Sequence, residues 1–542
     1  MHRPPPGTIE RRQVKHSFQI ENRQGVKTGL NPPCSILSER LFATRGRMSR
    51  IVLLIVFAAF IGLRLPPVLS QGGGMDEEWY AVPGLTVARE GVPRVPYSRA
   101  TEPGSVFLGA DRILFAMPPL SFYAQAPFFL VFPPTYATAR LASLTSGCLA
   151  ILLVYAIATT LRDDRSSALW AAGIYSACRL LFFPAMIARP DMICGTLGLA
   201  AVWAMCRWGR DQRRRWLATA GVFLGLAGLT HPSAIVFALQ LGAWAALAPG
   251  TVRHRLLRPV GLASAALATF SVWLILIVRD PELFRLQFVA NILKPAGPGL
   301  VTRLVFPWFE MANHLPLVIE RAGVLQAGFL ATCMAVASGI AWRRRDRALG
   351  LVATLGWTSV YLQIASQGRH PLQGYWCYPV AFFAIAAGWC VANGFAECRR
   401  RAGTAVATIL TAGVLALAFL PGGGFRASWA SVRHRREIAY DPRRLTQSIV
   451  DGLPPDARLT VGTEFALDAY GLGRHVLLGI KYPDYFDATR YEYDYAILGR
   501  SGMKQGLDRA MKGRIVRTFG DEADPFAGYA VLIVPDGSAP SP

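Results

Sequence analysis

The chain has 542 residues, 52% of them hydrophobic and only 17% charged, with a mean hydropathy of +0.32. That balance excludes a string of ordinary soluble domains and points to an integral membrane protein. The formal charge of +23 comes from Lys and Arg gathered in short clusters between apolar runs, the distribution that membrane topology produces, so a nucleic-acid partner is set aside.

Residues 1–50 are polar, basic and rich in Pro, without the periodic apolar pattern of a folded domain, and read as a disordered cytoplasmic tail. Met48 stands as an alternative start. Spanning a bilayer takes ~20 mostly apolar residues in a helix. Residues 51–69 form the first such candidate, too apolar and too long for a removed signal peptide. Further candidates run at 137–160, 167–188, 191–206, 216–231, 232–248, 259–278, 322–342, 348–366, 376–396 and 402–420. The expected fold is therefore an α-helical polytopic membrane body over residues 51–420 with about eleven transmembrane helices.

The run PLSFYAQAPFFLVFP, 119–133, is short and interrupted by Pro127, and reads as an interfacial helix. With the N-terminus in the cytoplasm, the loops RDDR (162–165), RWGRDQRRRW (207–216), RHRLLR (253–258), RRRDR (343–347) and ECRRR (397–401) all face inward. Each carries the basic excess expected there. Counting 119–133 as a span would turn these clusters outward, so eleven spans fit the charge pattern better.

The outer face then receives a long first loop (70–136), the junctions ARPDM (188–192) and THPSA (230–234), a second long loop (279–321), the loop 367–376 and the tail from 421. In the tail, alternation predicts strands at 458–464, 475–480, 493–499, 514–520 and 529–535, with helices near 441–452 and 503–512. A small extracytoplasmic α/β domain over 421–542 is expected. It has no GxGxxG and no P-loop, so no nucleotide site is assigned. The nine Cys are scattered, with no CxxC pair and no His/Cys spacing for zinc, so neither disulfides nor a metal site is expected. No cofactor is expected, and a divalent metal is left open.

The chemistry-bearing residues gather on the outer side. Asp76, Glu77 and Glu78 follow a Gly run, and the helical stretch EEWYAVPGLTVAREG can lie along the membrane with Trp79 and Tyr80 at headgroup level. They suit work on a lipid headgroup; the plain alternative is a solvated acidic loop. Asp191 follows Pro190, where it can cap the next helix or serve as a second carboxylate beside Asp76. His231 precedes Pro232 at a helix break and reads as a packed residue or as a ligand. Arg369 and His370 stand on the outer side of a protein whose other Arg clusters face inward, which suggests a phosphate; the alternative is snorkelling at the interface. Arg140 and Arg189, at outer helix ends, share both readings.

In order along the chain, MDEEWY, AREGVPRVPY, MPPLSFY, ATARLASL, ARPDM, LTHPSA and GRHPLQGYWCYP together resemble the membrane glycosyltransferases of family 39. These are the dolichyl-phosphate-mannose protein mannosyltransferases and bacterial relatives such as the lipid A aminoarabinose transferases. The resemblance covers roughly residues 50–380 and leaves the α/β tail uncovered. It implies a GT-C fold and a polyprenyl-phosphate sugar donor used at the outer face of the plasma membrane. It further implies Asp76 as catalytic base with Glu77 beside it, Asp191 as a second carboxylate, and Arg369, His370 and His231 as basic residues on the donor side; Arg140 and Arg189 join the candidates for the donor phosphate from their positions alone. The acceptor, lipid, glycan or protein, stays open. A transporter or lipid-linked sugar flippase is the alternative, and it predicts broken helices in paired halves and charges near the midplane.

Overall fold

Seven helices among the described residues are long and apolar enough to cross a membrane: Arg47–Ser70, Tyr136–Leu161, Pro190–Asp211, Val252–Ile277, Val324–Arg344, Arg347–Gln367 and Gly374–Phe419. The structure is a computed structural model that describes residues 34–74, 76–97, 107–290, 299–367, 373–421, 424–480 and 493–536. It divides into Met1–Arg50 and Ile51–Pro542, and the second unit holds both the helical bundle and the C-terminal sheet.

In chain order the helices are α1 (Cys34–Ser70), α2 (Glu78–Glu90), α3 (Leu120–Phe129), α4 (Tyr136–Leu161), α5 (Arg165–Ala177), α6 (Arg179–Phe182), α7 (Pro190–Asp211), α8 (Arg214–Gly228), α9 (Ala234–Leu247) and α10 (Val252–Phe270). Several starts are written in the sequence. Thr135 caps α4 by accepting the Thr138 N–H at 3.2 Å, and Asp164 caps α5 by accepting the Ser166 and Ser167 N–H groups. Pro190 opens α7 at a position that needs no N–H.

Some expected spans take another form. The segment 167–188 breaks at Cys178, whose extended backbone separates α5 from the short α6. The candidates at 216–231 and 232–248 become α8 and α9, of 15 and 14 residues, parted by Thr230, His231 and Pro232. The last two candidates run into one helix, Pro379–Phe419, interrupted at Gly403, whose φ of 86° lies in the left-handed region that glycine tolerates. The 119–133 stretch forms the ten-residue α3, too short to cross a bilayer.

Four of the basic loops are linked in two pairs. Arg162 pairs with Asp346, joining two of them, and the Arg258 guanidinium lies 5.2 Å from the Trp208 ring. Around the bundle, Leu54, Ile55, Leu267, Ile275 and Leu417 are 61–67% exposed. Apolar side chains turned outward along helices of this length form a lipid-facing surface, so the chain is a multi-pass membrane protein.

The C-terminal part carries a five-stranded sheet of β1 (Arg458–Gly462), β2 (His475–Ile480), β3 (Tyr495–Gly499), β4 (Gly513–Gly520) and β5 (Tyr529–Pro535), in the order β2-β1-β3-β5-β4. β1 pairs in parallel with β2 and β3, while β5 runs antiparallel to β3 and β4. The sheet does not make a core of its own: Leu459, Val461, Ile497 and Val531 belong to the same buried cluster as Trp79, Tyr80, Leu85 and Phe122 of α2 and α3. Here the sequence expectation for α2 is corrected. Trp79 and Tyr80 are buried in this cluster rather than set at headgroup level, because α2 is covered by α3 and by the helix Ala466–Gly471 of the C-terminal part. Trp79 stacks on Phe107 with ring centroids 3.8 Å apart.

Asp468, on the helix Ala466–Gly471, is 1% exposed, and neither carboxylate oxygen has a hydrogen-bond partner among the described residues. Burial pushes its pKa up to about 7, against the opposing pull of Arg140 and Arg443. The folded state therefore holds a proton that the unfolded chain releases near pH 4. This favours the fold below about pH 4 to 7 and is lost as pH rises through 7. Asp468→Asn should stabilise the detergent-solubilised protein at pH 8 by up to about 4 kcal/mol while leaving it nearly unchanged at pH 4.5. Thermal melts across that range check this, and parallel pH curves for the two proteins would contradict it.

Candidate functional site

The three acidic residues after the Gly run have separate environments. Glu77 is 1% exposed, and the side chain of Arg140, on α4, is 4% exposed. Arg140 Nε donates to Glu77 Oε1 at 2.7 Å and Nη2 to Oε2 at 2.5 Å. The remaining Arg140 donors reach the carbonyls of Val68, Gln71 and Gly72 at 3.3, 2.6 and 2.7 Å. Glu77 also accepts the N–H groups of Gly74 at 2.8 Å and Ala188 at 2.7 Å. This bidentate pair fastens the end of α1, the Gly run, α2, α4 and the segment before α7 to one point. Glu78 is fully buried and accepts the Tyr97 hydroxyl at 2.8 Å.

Asp76 is the accessible member, with its side chain 33% exposed. Its Oδ2 accepts from Arg189 Nη1 at 2.5 Å, while Arg189 Nε reaches Asp191 Oδ2 at 2.9 Å. Burial alone would drive the Arg189 guanidinium toward neutrality; the surrounding negative groups, Asp191 first, outweigh that and raise its pKa. Arg189 also lies 5.4 Å from the Tyr80 ring centroid, a cation–π contact. Its Nη2 makes no hydrogen bond among the described residues.

Asp191 sits at the second position of α7, and its carboxylate turns to Arg189 instead of capping the helix. Its Oδ1 is buried without a hydrogen-bond partner among the described residues. Gly374 packs on this carboxylate so closely that a Cβ there would overlap Oδ2.

His231 lies beyond the end of α8. Its Nδ1 accepts the Ser233 N–H at 3.0 Å, which leaves the proton on Nε2, 3.0 Å from the Tyr375 hydroxyl oxygen. A ring held this way at 8% exposure is a neutral imidazole. Thus Asp76, Arg189, Asp191, Tyr80, Tyr375 and His231 form one constellation, and Arg140 with Glu77 lies beneath it. Arg369 and His370 fall outside the described residues. The sequence singled out Tyr80 only as an interfacial residue and did not single out Tyr375; Tyr80 stands in MDEEWY and Tyr375 in GRHPLQGYWCYP, and pairing with Arg189 or His231 has no signature in spacing. Among the described residues, no group of three or more His, Cys, Asp or Glu is placed to hold a metal ion.

Beside Tyr375, Trp376 enters the wall of an apolar cavity of about 410 Å³. Met311, Leu315 and Val318 line it from the helix Trp308–Ala322, and Ile364 and Phe383 from the helices behind. The second long loop, 279–321, is structured over much of its length. Gln287 takes the Phe115 and Ala116 N–H groups at 2.6 and 3.0 Å and donates to the Leu108 and Ile113 carbonyls. Lys294 and its Pro/Gly-rich neighbours lie outside the described residues.

The profile of the family described as dolichyl-phosphate-mannose-protein mannosyltransferase matches residues 116–276. The undecaprenyl phosphate-alpha-4-amino-4-deoxy-L-arabinose arabinosyl transferase of Erwinia tasmaniensis is 30% identical over 254 residues, 44% of this chain and 42% of the relative. The aligned stretch thus spans less than half of that relative's length. Among solved structures, ArnT from Cupriavidus metallidurans bound to undecaprenyl phosphate superposes with a TM-score of 0.55 at 16% identity, over 92% of this chain and 99% of that one. The archaeal oligosaccharyltransferase AglB from Archaeoglobus fulgidus, in complex with an inhibitory peptide and a dolichol-phosphate, gives 0.52 at 14% identity over 90% and 74%. The fold is of the GT-C type, and the chain is similar to family 39 glycosyltransferases.

Arg140→Met should leave Glu77 buried without a counter-charge and destabilise the protein by about 3–5 kcal/mol, whereas adding Glu77→Gln should restore most of the loss. Melting temperatures of the single and double variants in detergent decide this; a single variant as stable as wild type would remove the pair from its anchoring place.

Proposed function

We propose that the protein is a membrane glycosyltransferase that moves a sugar from a polyprenyl-phosphate carrier to an acceptor at the outer face of the plasma membrane. One observation carries the reading: an accessible carboxylate, Asp76, is fixed by a buried Arg189 and Asp191 close to an apolar cavity that suits an isoprenoid chain. The arabinosyl transferase relative and the ArnT structure, each linked by name to undecaprenyl phosphate, support the donor class.

In this reading the acceptor oxygen attacks the anomeric carbon while the carbon–oxygen bond to the lipid phosphate breaks on the opposite side, inverting the centre. Asp76 accepts the acceptor's proton. The leaving phosphate gains negative charge next to Arg189, whose Nη2 makes no protein hydrogen bond among the described residues; Arg369 and His370, outside the described residues, are assigned to the same phosphate from the sequence alone. Neutral His231 with Tyr375 contributes hydrogen bonding rather than charge. Glu77 and Arg140 hold the backbone that carries Asp76, which accounts for every donor of Arg140 without a ligand. Because the donor brings its own phosphate ester, the chemistry asks for no nucleotide site. The positive-inside pattern supports a cytoplasmic N-terminus and an extracytoplasmic site.

The direct test is transfer by purified protein from radiolabelled polyprenyl-phosphate sugars into a membrane extract. Transfer from at least one such donor is expected; an enzyme that uses only nucleotide sugars would overturn the reading. Leu315→Trp, which fills the apolar cavity, should raise KM for the long-chain donor by about tenfold, as loss of roughly 1.4 kcal/mol of chain binding implies. It should change KM little for a donor with a truncated isoprenoid, and equal effects on both would separate the cavity from donor binding.

A further inference from the structure

Arg64 is a charge inside the first span without a counter-ion. It sits on α1, about 9 Å of helix before the end at Ser70, and is 2% exposed. Its Nη2 donates to the Ser176 carbonyl at 2.8 Å and its Nη1 to the Phe60 carbonyl at 3.5 Å, while Nε has no partner among the described residues. The guanidinium lies 4.0 Å from the Phe60 ring centroid and 5.3 Å from that of Phe182. Carbonyl oxygens and ring faces soften the charge, but no carboxylate among the described residues answers it. An ionisable side chain kept within a span ordinarily serves a function.

Arg64 lines a cavity of about 250 Å³ between α1, α6 and the end of the long helix Pro379–Phe419. Arg179, half-buried at the start of α6, lines it as well, and its guanidinium makes no hydrogen bond or ion pair among the described residues. Much of the remaining wall is apolar, with Leu63, Phe182, Leu415 and Phe419. Two guanidinium groups and no carboxylate therefore border one apolar space. This cavity shares no lining residue with the one beside Trp376; α6 stands between them, with Leu180 lining that cavity and Phe182 this one.

A neighbouring helix places the cavity at the membrane interface. Phe425, also in the wall, opens the helix Phe425–Arg433, which follows the last span. Gly424 before it has a φ of 82°, and a Cβ there would overlap the Phe182 ring, so the close approach to the cavity wall requires glycine. The helix rests on α1 through small residues: the Ser428 hydroxyl donates to the Leu63 carbonyl at 2.5 Å, and the Ser70 hydroxyl to that of Ser431 at 2.6 Å. Phe425, Trp429 and Val432 share another side of it and are 48–68% exposed. An apolar face with an outward Trp, directly after a span, lies in the bilayer interface. Arg426, Arg433, Arg435 and Arg436 are exposed beside it and form no ion pair among the described residues. On the topology that the basic loops support, this end is the outer one, where few cations are expected. Such a cluster attracts anionic lipid.

We infer that this cavity is a binding site for an anionic glycerophospholipid of the outer leaflet, held by its phosphodiester. Arg64 and Arg179 supply charge-assisted hydrogen bonds to the phosphate, and the apolar wall takes the first acyl carbons. A zwitterionic headgroup fits less well, because its ammonium finds no carboxylate in the wall. Bound there, the lipid joins the first span to the last and fills the space under the helix Phe425–Arg433. The site lies apart from the proposed donor cavity and uses no sugar chemistry.

The experiment is native mass spectrometry of the full-length protein in detergent, titrated with dioleoyl phosphatidylglycerol or with dioleoyl phosphatidylethanolamine. Wild type is expected to bind one phosphatidylglycerol about tenfold more tightly than phosphatidylethanolamine, the worth of one charge-assisted hydrogen bond. Arg179→Gln should erase most of that preference, and Ala416→Trp, which fills the cavity and keeps both arginines, should abolish the one-to-one binding. Both substituted positions are half-buried, which keeps the test clear of the fully buried Arg64, whose loss would unsettle the bundle. Equal binding of the two lipids by wild type, or an undiminished preference in Ala416→Trp, overturns the site. A variant carrying Arg433→Gln, Arg435→Gln and Arg436→Gln should keep the one-to-one preference and lose only salt-sensitive adsorption to phosphatidylglycerol vesicles. Loss of the preference there, with full preference in Arg179→Gln, would place recognition on the helix surface and overturn the cavity. Excess polyprenyl phosphate should leave the bound phospholipid in place; displacement would assign the cavity to the donor and overturn it as a phospholipid site. None of these measurements involves transfer, so a failure of the transferase reading leaves the lipid site standing.

Discussion

The buried pair of Arg140 and Glu77 is the constraint on which the rest depends. Two charges at 4% and 1% exposure are tolerable only when every polar atom is answered, and here the answers come from separate parts of the chain. Carbonyls from Val68 to Gly72 and N–H groups of Gly74 and Ala188 converge on it. The pair therefore sets where α1 ends, where α2 begins and how the chain enters α7. Asp76 is held in place by its neighbour, not by its own contacts alone.

From that anchor the functional geometry follows in two directions. Toward the bundle, the fixed entry to α7 puts Arg189 between Asp191 and Asp76, and Gly374 lets the Gln373–Cys377 turn close over Asp191. Toward the sheet, the Gly run carries the anchor to Glu464, and Tyr136, on the first turn of the same helix as Arg140, donates its hydroxyl to the Thr463 carbonyl. The sheet is thus fastened to the site by backbone contacts, and its core is shared with α2 and α3.

Much of this was legible in the sequence, for physical reasons that differ by region. The membrane body announced itself through long apolar runs and basic loops, and the five strands through alternation; β1 to β5 begin within two residues of their expected starts. Helix lengths were less legible: α5 and α6 part at Cys178 and α8 ends early, because tertiary packing and not composition stops them. At the site, the sequence brought Asp76, Glu77, Asp191, Arg140, Arg189 and His231 to one end but could not divide their labour. Adjacent carboxylates look alike on paper; one is sealed by a bidentate Arg and the other left one-third exposed. Trp79 and Tyr80 were misplaced because an amphipathic stretch beside a membrane looks the same whether lipid or other helices cover it.

The most direct test of this division is a comparison of Asp76→Asn and Glu77→Gln, each assayed for both melting temperature and sugar transfer from a polyprenyl-phosphate donor. The account predicts that Asp76→Asn melts near wild type and transfers nothing, and that Glu77→Gln melts markedly lower while its folded fraction still transfers. Full transfer by Asp76→Asn, or a folded but inactive Glu77→Gln, would contradict it.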